Sequence, residues 1–248
     1  MDKADLIEIF SSIQGEGNYV GCRQVFVRFA GCNLHCNYCD TNFNEQEFCD
    51  FEISAGTMKF RQIRNPVTAE EVVGAVNALI SEVPTHSISF TGGEPLLQFK
   101  FIENVIKRLM VAHSHCPKFF LETNGVLYKN LSKIIDLLDI ISMDIKLPSV
   151  TNADFFDLHR KFIEIAKSKD LYIKIVVTNE TTIEEFIAAV EMIASISRNI
   201  SLILQPVTPV RKVQPIIPHN LLCFQKWALD YLDNVRVIPQ THKIINLL

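Results

Sequence analysis

Apolar positions along the chain change period repeatedly, from contiguous or alternating runs to stretches in which they recur every three or four residues. VFVRFAG (25–31) is β-branched and aromatic and predicts a strand that feeds straight into a cysteine-rich loop. TAEEVVGAVNALI (68–80) predicts a helix, because Thr68 and Glu71 have the spacing of a capping box and apolar residues follow at helical intervals. HSISF (86–90) predicts a strand ending in TGGEP, and Ile102, Val105, Ile106, Leu109 and Met110 then mark one helical stripe. Strand KFFLETNG (118–125), a short helix near 132–138, strand IISMDIK (140–146) and a helix over 154–169 continue the series. LYIKIVVTN (171–179) predicts the next strand. Ile183, Phe186, Ile187, Val190 and Ile193 mark a helix capped by Thr181 or Thr182. NISLILQPV (199–207), a helix around 220–232 and NVRVIPQTH (234–242) complete the run.

Strand and helix thus alternate about seven times, the signature of parallel βαβ units. Polar groups gather at the C-terminal ends of the predicted strands, in CNLHC, TGGEP, ETNG, MDIK, VTNE, QPVTP and PQTH. A (β/α) barrel brings those ends to one face, the usual place of catalysis, and an open doubly wound sheet also binds ligands at its strand ends. The expected fold is α/β, a partial (β/α) TIM-like barrel of about six to seven parallel strands. Residues 43–66 break the alternation, passing from acidic to basic with Ala55-Gly56 between two aromatic-bearing halves. They predict a small hairpin-like insertion, expected to be a surface excursion. A single domain over residues 1–248 is expected from the length.

Composition narrows the function class. With 48% hydrophobic and 21% charged residues the chain suits a folded protein. The net charge of −4 and the lack of long like-charge blocks argue against a sequence-independent grip on nucleic acid or on an anionic membrane, and favour a small-molecule partner. MDKADLIEIF lacks the apolar core of a signal peptide and no apolar run is long enough to span a bilayer, so a cytoplasmic location is expected. Seven cysteines, three of them clustered, fit metal binding in a reducing compartment better than a disulfide scaffold.

The cluster is Cys32, Cys36 and Cys39 in GCNLHCNYCDT. Zinc sites close with a second pair of ligands, which here would have to recruit something like Cys49 or His35. Three thiolates instead suit a 4Fe-4S cluster with one iron left open, where a further ligand can bind and be reduced. Cys22, Cys49, Cys116 and Cys223 are expected to be ordinary thiols.

Cys32-x3-Cys36-x2-Cys39, with Tyr38 before the last cysteine, resembles the signature of radical S-adenosylmethionine (SAM) enzymes. FSSIQGEGNYVG (10–21), VFVRFAGCNLHC (25–36), CDT (39–41), FTGGEPLLQ (90–98), LETNG (121–125), MDIKLPS (143–149) and PQTHK (239–243) narrow the resemblance to the 7-carboxy-7-deazaguanine synthase family. It covers nearly the whole chain, with 43–66 as the main departure. The resemblance implies a homodimeric barrel of radical SAM type, binding a 4Fe-4S cluster, SAM and Mg²⁺. It also implies conversion of 6-carboxy-5,6,7,8-tetrahydropterin to 7-carboxy-7-deazaguanine, in queuosine and deazapurine biosynthesis. An electron from the cluster would release a 5′-deoxyadenosyl radical from SAM, which takes the C6 hydrogen of the substrate before ring contraction and loss of ammonia. A reduced flavodoxin-like protein is the expected electron donor.

Site residues follow from this frame. Gly92-Gly93 would let the backbone approach SAM, with Glu94 at the methionine ammonium, Ser142, Asp144 and Lys146 at its ribose or carboxylate, and Gln205 in the same pocket. A pterin offers an amidine-like edge and a carboxylate. Ile13, Gln14, Gly15 and Glu16 are expected at the edge, and Arg28 at the carboxylate, since a cation in an otherwise apolar strand is costly unless paired. Thr91, Glu122, Asn124 and His242 are expected to face the same cavity. Thr41 is the Mg²⁺ ligand by resemblance. Two other classes compete: a glycyl-radical activating enzyme, which has no need of QGEG or PQTH, and a non-catalytic iron-sulfur or zinc module.

Overall fold

A computed structural model of the chain describes residues 2–39, 44, 46–113, 115–209 and 213–247. Its strands are β1 Lys3–Ala4, β2 Leu6–Ile13, β3 Arg23–Phe29, β4 Phe48–Glu52, β5 Phe60–Arg64, β6 Val67–Thr68, β7 Ser87–Gly92, β8 Lys118–Thr123, β9 Ile140–Ile145, β10 Asp170–Val177, β11 Ser201–Pro206 and β12 Val235–Val237. Its helices are α1 Ala69–Glu82, α2 Phe99–Ala112, α3 Tyr128–Ile134, α4 Pro148–Thr151, α5 Phe156–Ala166, α6 Ile183–Ile196, α7 Pro218–Leu229 and α8 Thr241–Ile244.

Ten strands form one sheet in the order β12-β11-β10-β9-β8-β7-β3-β2-β4-β5. From β12 to β3 every neighbouring pair is parallel. This parallel stretch matches the predicted βα series, and the two distinct sheet ends make it a partial barrel rather than a closed one. The register sorts the side chains between two faces. Ile141, Met143, Ile173, Ile175, Leu202 and Leu204 point outward into a core shared with Phe101, Ile102, Val105, Phe162, Ile163, Phe186 and Val190 of the helices. On the inner face Phe120, Ile140, Tyr172 and Ile203 form a second cluster with Tyr19 and Ile238, which fills the floor of the barrel beneath the polar strand ends.

Helix limits follow local chemistry. Both α1 and α6 begin with a full capping box, Thr68 with Glu71 and Thr182 with Glu185, as the sequence predicts for α1. Met110 does not share the buried stripe of α2 and is 54% exposed. At 100° per residue it lies about 80° round from Ile102, at the edge of the apolar face. Ile183 opens α6 and is likewise exposed.

Two features differ from the sequence reading. LIEIFSSI forms β2, an eight-residue strand antiparallel to β3 that the hydropathy reading did not mark as an element. Residues 43–66 do contain a hairpin, β4 with β5, but it is not a surface excursion. β4 pairs in parallel with β2 through Glu8–Asp50 and Ile9–Phe51, and buries Cys49, Phe51 and Glu52, so the hairpin extends the sheet.

Candidate active site

The cysteine loop leaves the end of β3 and is tied to its surroundings through the backbone. Ala30 N–H donates to Asp5 O at 3.0 Å, and Asn37 N–H to Val150 O at 3.1 Å, while Cys39 N–H closes a turn on Cys36 O at 3.1 Å. TGGEP, at the end of β7, is stitched to the same loop: Gly93 N–H donates to Phe29 O at 3.0 Å and Glu94 N–H to Gly31 O at 2.8 Å. Gly92 sits at φ +113°, and a Cβ there would meet Phe29 N and O at 2.6 Å. Only glycine lets the two turns lie this close.

A cavity of about 510 Å³ opens at the C-terminal ends of the strands, with Cys32, Cys36 and Cys39 on its wall. None of the other four cysteines lines it. Burial pushes the Cys32 and Cys36 thiols up, so a metal taking these sulfurs has to displace their protons. Asn124 amide nitrogen lies 3.9 Å from Cys32 Sγ and donates to Asn33 Oδ1 at 2.9 Å. Three soft donors without a fourth cysteine suit an iron-sulfur cluster that keeps one iron open to another ligand. Thr41, the expected Mg²⁺ ligand, lies outside the described residues.

Of the residues expected at SAM, Gly93, Asp144, Lys146 and Gln205 line the cavity. Lys146 Nζ donates to Asp144 at 2.7 Å and to Tyr38 Oη at 3.3 Å, and stands 5.3 Å from the centre of the Tyr38 ring. Gln205 is 4% exposed, and its Oε1 has no hydrogen-bond partner among the described residues. A buried acceptor without a donor is costly unless a ligand supplies one, so this atom fits a site for a hydroxyl- or amine-bearing cofactor. Glu94 and Ser142 are not among the residues that line the cavity. The Glu94 carboxylate is fully buried and accepts from Leu96 N–H, Asn124 N–H and the Thr123 hydroxyl at 2.8–3.0 Å, which fixes the TGGEP turn to the end of β8. Burial outweighs those donors and lifts its pKa to about 7. Ser142 is buried one pleat below Asp144 and bonds the Tyr172 hydroxyl.

Every residue expected at the substrate lines the same cavity: Ile13, Gln14, Gly15, Glu16, Arg28, Thr91, Glu122, Asn124 and His242. Glu122 accepts from Gln14 Nε2 at 2.6 Å and from the Thr91 hydroxyl at 2.7 Å. Burial pushes its carboxyl up. Glu16 accepts from Gln240 Nε2 at 2.7 Å and pairs with Lys174. Arg28 pairs through Nε with Glu8 at 2.7 Å, directly opposite in the β2–β3 register, and lies 5.6 Å from the Phe10 ring centre. The His242 ring packs on Gly15, where any Cβ would overlap it, and Thr241 donates to Gly15 O through its N–H at 2.9 Å and its hydroxyl at 3.0 Å.

Sequence reasoning missed Lys174. It lies on the inner face of β10, 6% exposed, between Glu16 and Asp144, with the latter at 3.3 Å. The signal was present: a lone cation in LYIKIVV is as conspicuous as the Arg28 of VFVRF. Glu8, Gln240 and Lys243 also line the cavity and were not anticipated.

The sequence profile of the radical SAM superfamily matches residues 26–204. A 7-carboxy-7-deazaguanine synthase of Geobacter sulfurreducens is 45% identical over 99% of this chain and 98% of its own. A 7-carboxy-7-deazaguanine synthase of Archaeoglobus fulgidus is 35% identical over 99% of both chains. Among solved structures, QueE from Escherichia coli superposes with a TM-score of 0.61 at 19% identity, over 97% of this chain and 95% of that one. A radical SAM methyltransferase from Sphaerobacter thermophilus gives a TM-score of 0.54 at 14% identity, covering 87% of this chain and 66% of that one, and shares the fold. The chain belongs to the 7-carboxy-7-deazaguanine synthase family of the radical SAM superfamily, whose members use a 4Fe-4S cluster and SAM.

Proposed function

We propose that this chain is a carbon–nitrogen lyase that converts 6-carboxy-5,6,7,8-tetrahydropterin to 7-carboxy-7-deazaguanine by radical ring contraction with loss of ammonia. The observation that carries this reading is one cavity in which three thiols face an acceptor-rich edge and a strand-borne arginine. A glycyl-radical activating enzyme needs neither of the last two.

Cys32, Cys36 and Cys39 would hold the cluster, and Gly93, Asp144, Lys146 and Gln205 would hold SAM. When bound, cluster and SAM supply the radical that takes the substrate's C6 hydrogen. The remaining work belongs to the chain's own groups. Glu16 and Glu122 accept from the amino and ring N–H groups of the pterin edge, oriented by Gln14, Thr91 and Gln240. Arg28, already steadied by Glu8 at Nε, offers its Nη groups to the 6-carboxylate. His242 and the chain around it cover the edge site from the side of Gly15. These contacts hold the reacting carbon still and keep bulk water away from it. Thr41 is the proposed Mg²⁺ ligand on resemblance to the family. We also infer one domain, supported by the apolar cluster that runs from Ala4 to Val235, a homodimer, and a reduced flavodoxin-like donor in the cytoplasm. No helix among the described residues is long and apolar enough to cross a membrane.

The test is anaerobic: reconstituted protein with SAM, dithionite, Mg²⁺ and 6-carboxytetrahydropterin, followed by mass spectrometry. The expected products are 7-carboxy-7-deazaguanine and 5′-deoxyadenosine. Formation of 5′-deoxyadenosine without the deazaguanine would reject the pterin substrate.

A further inference from the structure

The inner face of β10 carries one ammonium that belongs to neither proposed ligand site alone. Lys174 is opposite Asp144 in the β9–β10 register, and its Nζ is 3.3 Å from Asp144 Oδ1 while also bonding Glu16 Oε2. Glu16 arrives from the turn after β2, far from β10 in sequence, and Gln240 from the chain after β12 bonds its other oxygen. Asp144 keeps Lys146 on Oδ2. A cation this deeply buried persists only when its partners are fixed and ionised.

We propose that Lys174 is a positioning residue shared by the two ligand pockets, its ammonium clamping the carboxylate that faces the pterin edge to the carboxylate that faces SAM. The inference rests on the function proposed above and adds a residue and a role to it. Without the clamp the Glu16 carboxylate would keep, among the hydrogen bonds of the described residues, the one from Gln240 on one oxygen. Its charge state depends on the same contact. Burial raises the Glu16 carboxyl, and the Lys174 ammonium, helped by the hydrogen bond from Gln240, brings it below its ordinary value even with Asp144 opposing. Glu122 on β8, Asp144 on β9, Lys146 just after β9 and the Tyr172 hydroxyl on β10 are the other titratable groups around it, with His242 nearby on the same cavity wall. Removal of Lys174 therefore leaves Glu16 buried among like charges. It is expected to take up a proton at higher pH than in the wild type, and a protonated acid no longer accepts two bonds from the pterin edge.

The experiment is a titration of cluster-reconstituted, SAM-loaded protein with 6-carboxypterin, the oxidised and unreactive counterpart of the proposed substrate, at pH 5.5 to 8.5. Wild type, Lys174→Met, Lys174→Arg, Glu16→Gln and the Lys174→Met/Glu16→Gln double variant are compared, with circular dichroism as the check of folding. Lys174→Met is expected to weaken pterin binding on the order of 10- to 100-fold, the range of a charge-assisted hydrogen bond. The loss should deepen toward acid pH and be partly restored by Lys174→Arg. It should disappear in the Glu16→Gln background, because Lys174 acts through Glu16. SAM binding should change far less, since Asp144 keeps Lys146. If Lys174→Met does not fold, Lys174→Gln takes its place with the same expectations. An equal loss in both backgrounds, a pH profile parallel to wild type, or no loss would overturn the inference. A wild type that binds SAM but no pterin at any pH would instead overturn the proposed function.

Discussion

His159 is one turn into α5, fully buried, with its Nε2 donating to Asn124 O at 3.2 Å and its Nδ1 without a hydrogen-bond partner among the described residues. Burial, outweighing that bond, lowers its pKa to about 4. The unfolded chain protonates this imidazole near pH 6.5, so between that value and about 4 the unfolded state binds the extra proton. Stability from this group is full above 6.5 and falls as pH drops, by about 3 kcal/mol across the window. At pH 7.5 His159→Leu should cost about 1–3 kcal/mol, from the donor lost at Asn124 O. That gap to wild type should shrink as the pH is lowered to 4.5, as read from urea unfolding at each pH. A constant gap would mean that His159 does not titrate between the two states. At this scale the sequence was legible wherever a charged residue broke an apolar pattern within a strand. Arg28 was found that way, and Lys174 could have been. What holds Glu94 was not legible, because its partners include donors such as Asn124 N–H that come from another strand.

Elements were legible where one local rule sufficed. The capping box at Thr68 set the start of α1, and the same box recurs at Thr182. The two boxes look alike in sequence but differ in what they hold. Among the described residues Glu71 accepts hydrogen bonds from Thr68 alone, on an exposed helix start, whereas Glu185 accepts from Thr182 N–H at 2.8 Å and also from Ser149 N–H at 2.9 Å. Ser149 is the second residue of the short helix α4 that follows Lys146, so α6 braces the loop behind the proposed SAM site. Glu71→Ala is expected to cost about 1 kcal/mol and leave SAM affinity unchanged. Glu185→Ala should cost about 2 kcal/mol, for the cap plus one further hydrogen bond, and weaken SAM binding. Denaturant unfolding and equilibrium dialysis of SAM check both, and equal effects of the two changes would remove the bracing role. β2 was not legible as an element because its burial is not one-sided. Leu6, Ile9 and Phe10 are all buried, so LIEIFSSI does not alternate as a half-buried strand should.

The molecule as a whole brings the two ends of the sequence together at the mouth of the partial barrel. The turn after β2 carries Gln14, Gly15 and Glu16, and the segment after β12 folds over it through Gln240, Thr241 and His242. Lys243 and Leu247 continue that wall. Nothing local in QGEG or PQTH announces the meeting, since some 225 residues separate Gly15 from Thr241 and only the curl of the sheet brings them within one hydrogen bond. The consequence can be tested without touching a charged group. In Gly15→Ala the new methyl group occupies the space of the His242 ring, and the terminal segment has to lift for the turn to stay in place. Removal of residues 242–248 lifts it outright. Both changes leave Asp144, Lys146 and Gln205 where they are, because Asp144 and Lys146 hold each other with help from Lys174 and Tyr38, and Gln205 lies within β11. SAM cleavage by the reconstituted enzyme is therefore expected to persist within a few-fold in both variants. The KM for 6-carboxytetrahydropterin should rise at least about tenfold, the scale of one or two lost contacts at the edge site. Loss of SAM cleavage together with pterin turnover would mean that the terminal segment supports the whole barrel mouth. An unchanged KM would mean that it does not border the substrate at all.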